Sequence, residues 1–225
     1  MSGFNVSIIV PVFNEAAQLK ALMNQLRLLK DEWVKEIIIV DGGSTDGTAG
    51  VLAEEFTVIQ SDKGRAKQMN AGAQQATGTW LLFLHADTQI SQGHIQTAMS
   101  EGAMYSWGRF NVKLSNAAWP YRMISFFINI RSRLTSVATG DQCIFVRKKI
   151  FDELGGFADL SLMEDVEFCK RLRAHSKPAN LQKTVTTSSR RWEQYGVMKT
   201  IFLMWKLRLY FWCGVHPDRL ARLYK

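Results

Sequence analysis

Four apolar runs constrain this chain most: VSIIVPVF (6–13), EIIIVD (36–41), TVIQS (57–61) and WLLFLH (80–85). Each is close to continuous rather than alternating, and helical periodicity fills the intervals. Leu19, Leu22, Met23, Leu26 and Leu29 recur at helical spacing over 15–29, and further helices are predicted over 49–56 and 64–76. Strands apolar on both faces, joined by helices, read as an α/β fold whose mostly parallel sheet is covered on both sides. In such open sheets ligands bind beyond the carboxyl ends of the strands. The polar residues that close the runs therefore converge: Asn14 and Glu15, then Asp41, then His85 and Asp87. Acidic groups gathered in a strand-end crevice suit a cation, a ribose or both.

The second half differs in kind. Strands are predicted at 111–115 and 142–148, a helix over 119–134, and another from Glu164, with Glu167 and Arg171 as an i, i+4 pair. Residues 1–112 carry 8 basic against 11 acidic side chains, and residues 113–225 carry 20 against 9. A length of 225 residues suits one domain with an appended segment. Cys143, Cys169 and Cys213 are dispersed and odd in number, which argues against a disulfide framework or a cysteine zinc site and fits a reducing cytosol. The N-terminal stretch lacks the basic start and long apolar core of a signal peptide, so secretion by that route is not expected. GGSTDGT lacks the GxGxxG spacing of dinucleotide folds, and GxxxxGK[ST] is absent, which excludes a P-loop nucleotidase.

The ordered set SIIVPVFNE, IIIVDGGSTDGT, GRAKQMNAGAQQATG, LFLHADT, GDQCIFVRK, LGGF and MEDVEFCKRL resembles the family 2 glycosyltransferases over about residues 5–175. The resemblance implies a GT-A fold, Rossmann-like with helices on both faces. It also implies hexosyl transfer from a UDP- or GDP-linked sugar, usually with inversion. Residues 1–190 would form the catalytic domain, with a nucleotide-sugar half (1–112) and an acceptor half (113–190), followed by a basic aromatic helical extension over 191–225.

Carried over by position, Asp41 would read the nucleobase and Glu15 the base or ribose, although Asp41 also suits capping the turn that follows. Arg65 would reach the nucleotide or its phosphates, or stand solvated at a helix start. Asp87 holds the position of the metal-binding aspartate in the family's DxD, a hard ligand for Mg²⁺ or Mn²⁺. His85 replaces the first aspartate; it would donate to ribose, bind the metal, or simply end a buried strand. Asp165 would be the general base that takes the acceptor proton, unless it is spent as a helix N-cap. Its neighbour Glu164 is the more exposed candidate for acceptor or sugar contacts, and Asp141 and Gln142 would touch the donor sugar or acceptor. SSRRW (188–192) departs from the family's QxxRW but keeps Arg191 for the diphosphate and Trp192 for the acceptor cleft.

The stretch 197–215 is rich in Trp, Phe and Leu and interrupted by Lys199, Lys206 and Arg208. A single spanning helix needs about 20 apolar residues, so this one either lies in an anionic membrane interface or packs on the domain with Trp205 and Trp212 in its core. The first alternative implies a peripheral protein at the inner face of the membrane with a lipid or small-molecule acceptor; no nucleic-acid partner is expected. A retaining transferase and a catalytically decayed binding protein are the rivals.

Overall fold

The computed structural model describes residues 5–224. The four apolar runs form β1 (Val6–Val12), β2 (Val34–Asp41), β3 (Thr57–Gln60) and β4 (Trp80–Phe83). All four are parallel, with Ile9 facing Ile38 on one side and Phe83 on the other. The crossovers run through α1 (Leu19–Leu28), α2 (Thr48–Ala53) and α3 (Arg65–Gln75). Alternate side chains of β1 enter opposite cores, which is why its run is apolar throughout. Ile8 and Val10 pack with Leu22 and Leu26, whereas Ile9 packs with Ala66 and Met69. α3 lies close to the sheet because Gly72 has no side chain: a Cβ there would sit 2.5 Å from Ile9 Cγ2 and 3.0 Å from Val40 Cγ2.

The sheet continues through β5 (Thr88–Gln89), β6 (Trp107–Leu114), β7 (Phe145–Arg147) and β8 (Ala179–Thr187), in the order β3-β2-β1-β4-β7-β6-β8-β5. β7 runs antiparallel to both β4 and β6. That reversal builds the cleft from both halves of the chain, because the residues entering β7 arrive beside the carboxyl end of β4. The predicted strand over 142–148 shrinks to Phe145–Arg147, since Gly140–Gln142 form a 3-10 turn and Cys143 takes a left-handed φ of 49°.

Past Gly108, β6 loses its pairing with β7, and α5 (Trp119–Thr135) covers the open edge with side chains. The Asn129 amide accepts from Val112 N and donates to Val112 O, both at 2.9 Å, and Ser125 Oγ accepts from Leu114 N at 3.0 Å. Backbone groups that a neighbouring strand would have paired are thereby satisfied.

Unforeseen elements are α4 (Gln92–Ser100), α6 (Lys148–Glu153), β5 and β8, whereas α8 (Arg190–Tyr195) and α10 (Pro217–Tyr224) fall in the stretch expected to be helical over 191–225. α7 (Glu164–His175) begins where expected, and its Glu167–Arg171 pair forms at 2.5 Å. α9 (Val197–Trp212) contributes Leu207 to a small core with Met163, Val166 and Leu220. Trp205 and Trp212 stay outside it, 66% and 75% exposed. The alternative that placed them in a core is therefore corrected. Among the described residues no helix is long and apolar enough to cross a membrane.

Candidate active site

The loops after β1 and β2 are laced to each other. Asn14, in a left-handed conformation at φ 54°, accepts from Thr45 N through Oδ1 and donates its own N–H to Ser44 Oγ, both at 2.9 Å. Glu15 N donates to Thr48 Oγ1 and Ala16 N to Asp46 Oδ2, also at 2.9 Å. Asp41 is 1% exposed; its Oδ2 accepts from Gly43 N at 3.0 Å and Ser44 N at 2.9 Å, and its Oδ1 from the Ser44 hydroxyl. The turn-capping alternative for Asp41 is thus realised. Where the two strands part, Gln68 Nε2 donates to Val12 O and Val40 O, each at 2.8 Å, and holds the crevice at a fixed width.

A cluster of carboxylates faces this crevice. Asp87, just beyond β4, makes among the described residues only a long side-chain hydrogen bond, 3.5 Å from Thr88 Oγ1. Burial, with Asp87 adding to it, raises the pKa of Glu15, while Arg190 and Arg65 oppose the shift. His85 is pushed down to about 4 by burial and by the charge of Arg65, which Asp87 only partly offsets. It is therefore a neutral imidazole at ordinary pH. Its ring rests on Gly140, where a Cβ would lie 2.2 Å from the ring Cε1. Gly140 in turn donates its N–H to Asp165 Oδ2 at 2.9 Å. A short path of His85, Gly140 and Asp165 thus joins the end of β4 to the start of α7.

Asp165 Oδ1 accepts from Val166 N at 2.7 Å, but Asp165 is the second residue of α7, and the cap position belongs to Met163. The N-cap alternative is corrected to that extent. Asp141 accepts from the Thr139 hydroxyl, and burial raises its pKa, with Asp165 and Asp87 adding and Arg131 opposing.

Two further expectations need correction. Glu164, expected to be the exposed partner of Asp165, is only 5% exposed, and burial together with Asp165 pushes it up to about 7 against the pull of Arg65. Gln142 is fully buried and does not face an acceptor. It donates to Phe110 O and accepts from Thr139 N, both at 3.2 Å, and so fixes the turn ahead of β7.

The arginines also sort themselves. Arg65 is open to solvent, yet protein surrounds it in the cleft; burial works against its charge, and Glu164, Tyr224, Asp87 and Asp165 outweigh that, so its pKa is raised. Arg191 is not directed at the acidic cluster. It donates to Tyr224 O and stacks 3.6 Å from the Tyr224 ring, with the Tyr195 ring 5.1 Å away. Its neighbour Arg190 is the one whose charge reaches Glu15. Trp192 is half-buried in α8.

Among the described residues no group of three or more His, Cys, Asp or Glu side chains forms a metal cage. The donor set fits a hard divalent cation whose other ligands come from phosphate and water, which needs only one or two protein carboxylates. Asp87 offers barely engaged oxygens for it, and His85 a neutral ring beside it.

The family model described as glycosyl transferase family 2 matches residues 7–155. A "PGL/p-HBAD biosynthesis glycosyltransferase" of Mycobacterium tuberculosis is 27% identical over 206 residues, covering 84% of this chain and 77% of its own. Glycosyltransferase AglE of Haloferax volcanii is 25% identical and covers 74% of this chain, which spans 60% of it. Among solved structures, TarS 1–349 of S. aureus superposes with a TM-score of 0.65 at 20% identity, over 88% of this chain and 64% of that one. A Pyrobaculum calidifontis mannosyltransferase solved with GDP-Man and Mn²⁺ gives 0.64 at 18% identity, over 83% of this chain and 58% of that one. These structures share the fold with this chain, which spans less than two thirds of either.

Proposed function

The chain belongs to glycosyl transferase family 2 and with it to the glycosyltransferases, and from that premise we propose that it moves a hexosyl group from a UDP- or GDP-linked sugar to an acceptor hydroxyl with inversion. Residues 1–112 supply the donor wall, 113–190 the acceptor wall, and 191–225 the membrane-facing extension. Asp165 is the general base. Two N–H groups hold its carboxylate in place, which leaves lone pairs to take the acceptor proton as the acceptor oxygen bonds to the anomeric carbon and the bond to the diphosphate breaks. Asp87, with His85 beside it, would hold a Mn²⁺ or Mg²⁺ ion, which when bound neutralises charge on the leaving diphosphate. Arg65 and Arg190 border the same acids and meet the diphosphate, while Glu15 and Asp41 face ribose and base. For Asp41 that role requires the Ser44 hydroxyl to yield a place on Oδ1. The observation that supports the reading best is Gly140, packed against His85 and hydrogen-bonded to Asp165, which links the loop that carries His85 to the proposed base.

Two apolar faces support a lipid surface as the place of action. Trp119, Phe126, Phe127 and Leu134 project from α5, and Met198, Phe202, Trp205, Leu209 and Trp212 from α9. The α9 residues repeat at intervals of four and three, one stripe of the helix, with Lys199 and Lys206 exposed alongside. A charged flank beside an aromatic stripe suits peripheral binding to an anionic leaflet.

Isothermal titration of UDP and GDP with and without Mn²⁺ tests the donor assignment. Metal-dependent binding of one nucleotide is expected, and binding of neither, with or without metal, would sink it. The anomeric configuration of the product separates inversion from retention.

A further inference from the structure

The donor reading leaves one set of charges unused. Arg109, Arg131 and Arg133 lie where β6 meets α5, and Arg208 comes from the facing part of α9. Among the described residues none of the four has an ion-pair partner. Arg109 is 1% exposed and leaves Nε and Nη2 without hydrogen-bond partners. Arg131 does the same, with only Nη1 engaged, on Val137 O at 3.0 Å. Arg208 is half-buried.

Buried guanidinium nitrogens without partners are costly, and a folded chain ordinarily pairs them. Burial lowers the pKa of Arg131 to about 10, with Arg208 adding to the shift, while Asp141 and Asp165 pull the other way. Burial lowers Arg208 as well, and the same two acids oppose it. Val137, whose carbonyl holds Arg131, packs against the small core that includes Leu207 of α9 and lies three residues before Gly140, the donor to Asp165, so both arginines are near the candidate base.

We propose that Arg208, backed by Arg131, forms an anion subsite that binds an oxyanion group, phosphate or carboxylate, carried by the acceptor. The proposal rests on the transferase reading, since it makes Asp165 and Arg208 neighbours on one substrate. Arg131 and Arg208 are half-buried on α5 and α9, whose exposed positions bear apolar residues, so an amphiphile could place its anionic head on Arg208 with its tail in the lipid. A water-soluble acceptor phosphate would use the same contacts.

The test uses the full chain saturated with UDP and Mn²⁺, so that added phosphate does not compete for the diphosphate site. Methyl phosphate and acetate are titrated as soluble probes. Phosphatidylcholine vesicles with and without phosphatidic acid supply the lipid arm. Wild type is expected to bind one of these probes, with Arg208→Gln weakening it about tenfold or more, the loss of one charge-assisted contact. Arg208→Lys keeps part of the affinity, and Lys199→Gln, which removes the same charge from the outer side of α9, leaves soluble phosphate binding unchanged. Dependence in the soluble arm identifies a free anionic acceptor; dependence only on phosphatidic acid identifies a headgroup. The proposal is overturned if Arg208→Gln binds every probe as tightly as wild type, if wild type binds none, or if the variant loses UDP affinity, which would give the arginine to the donor. Should UDP fail to bind wild type, the donor reading falls. The phosphate titration repeated without nucleotide then still reads the arginines.

Discussion

Along the donor wall, the loops that follow β1 and β2 satisfy one another: Asn14 with Thr45, Ala16 with Asp46, and Asp41 with its own turn. Along the proposed acceptor wall, Arg131 of α5 and Arg208 of α9 feel the charges of Asp141 and Asp165 without an ion pair to either. The two proposed walls meet at Gly140, which touches His85 and donates to Asp165. A saturated wall is largely preorganised, and the rearrangement it asks of a ligand is the displacement of the Ser44 hydroxyl from Asp41. An unsaturated wall keeps unmet electrostatic demand that a ligand can meet. The difference suggests that donor geometry is fixed by backbone, whereas acceptor choice rests on a few long side chains.

Substitutions can break this contrast wall by wall. Asp165→Asn should lower kcat by about 10²- to 10⁴-fold, the usual range for losing a general base, with UDP affinity unchanged; steady-state rates set against nucleotide titration check it. A parallel loss of UDP affinity would move Asp165 onto the donor wall. The double change Phe202→Glu and Trp205→Glu should reduce partitioning onto anionic vesicles by about tenfold or more, given about 1.5–3 kcal/mol for each large side chain taken out of an apolar environment. Sedimentation with vesicles measures it, and unchanged partitioning would leave the α9 stripe free to serve as a contact between copies of the chain.

Gly140→Ala strikes the junction itself. Its Cβ would collide with the His85 ring, so a stability loss of about 1–3 kcal/mol is expected from overpacking. Combining it with His85→Ala should recover part of that loss in a double-mutant cycle followed by thermal denaturation. Strict additivity would mean the two residues do not press on each other.

The smallest effect concerns pH. Glu164 has its folded pKa raised from 4.5 to about 7 by burial and by Asp165, so the folded chain holds more protons than the unfolded one between those values. Its contribution to stability therefore falls as pH rises from about 4.5 toward about 7. Glu164→Gln should flatten that slope in denaturant titrations, and an unchanged slope would assign the pH response elsewhere.

The donor wall was the more legible of the two. β1, β2 and β4 are continuous apolar runs that end in polar residues, and the parallel-sheet rule places those ends together without any knowledge of packing. α5 was read to within one residue because Pro120 opens it and its apolar spacing is regular. β8 escaped because a single buried face gives ANLQKTVTT, a run in which polar residues dominate. The exchange between Glu164 and Asp165 escaped for another reason. Adjacent acids at a helix start look alike in sequence, and only the packing of the surrounding elements decides which one is covered. Arg131 and Arg208 look like solvated positions on amphipathic helices until α5 and α9 are placed over the cleft.

The side chains by which α5 closes the edge of β6 also set a hazard in time. While the chain is being made, Leu114 emerges 21 residues ahead of Thr135, which at about 5–20 residues per second leaves that edge bare for roughly one to four seconds. Throughout that interval an unpaired strand and an apolar helix leave the ribosome together, the combination from which aggregates nucleate. Asn129 and Ser125 end the exposure when they dock, so their replacement by alanine would show first as a poor yield of soluble chain at high expression, before any change in the rate of the finished enzyme.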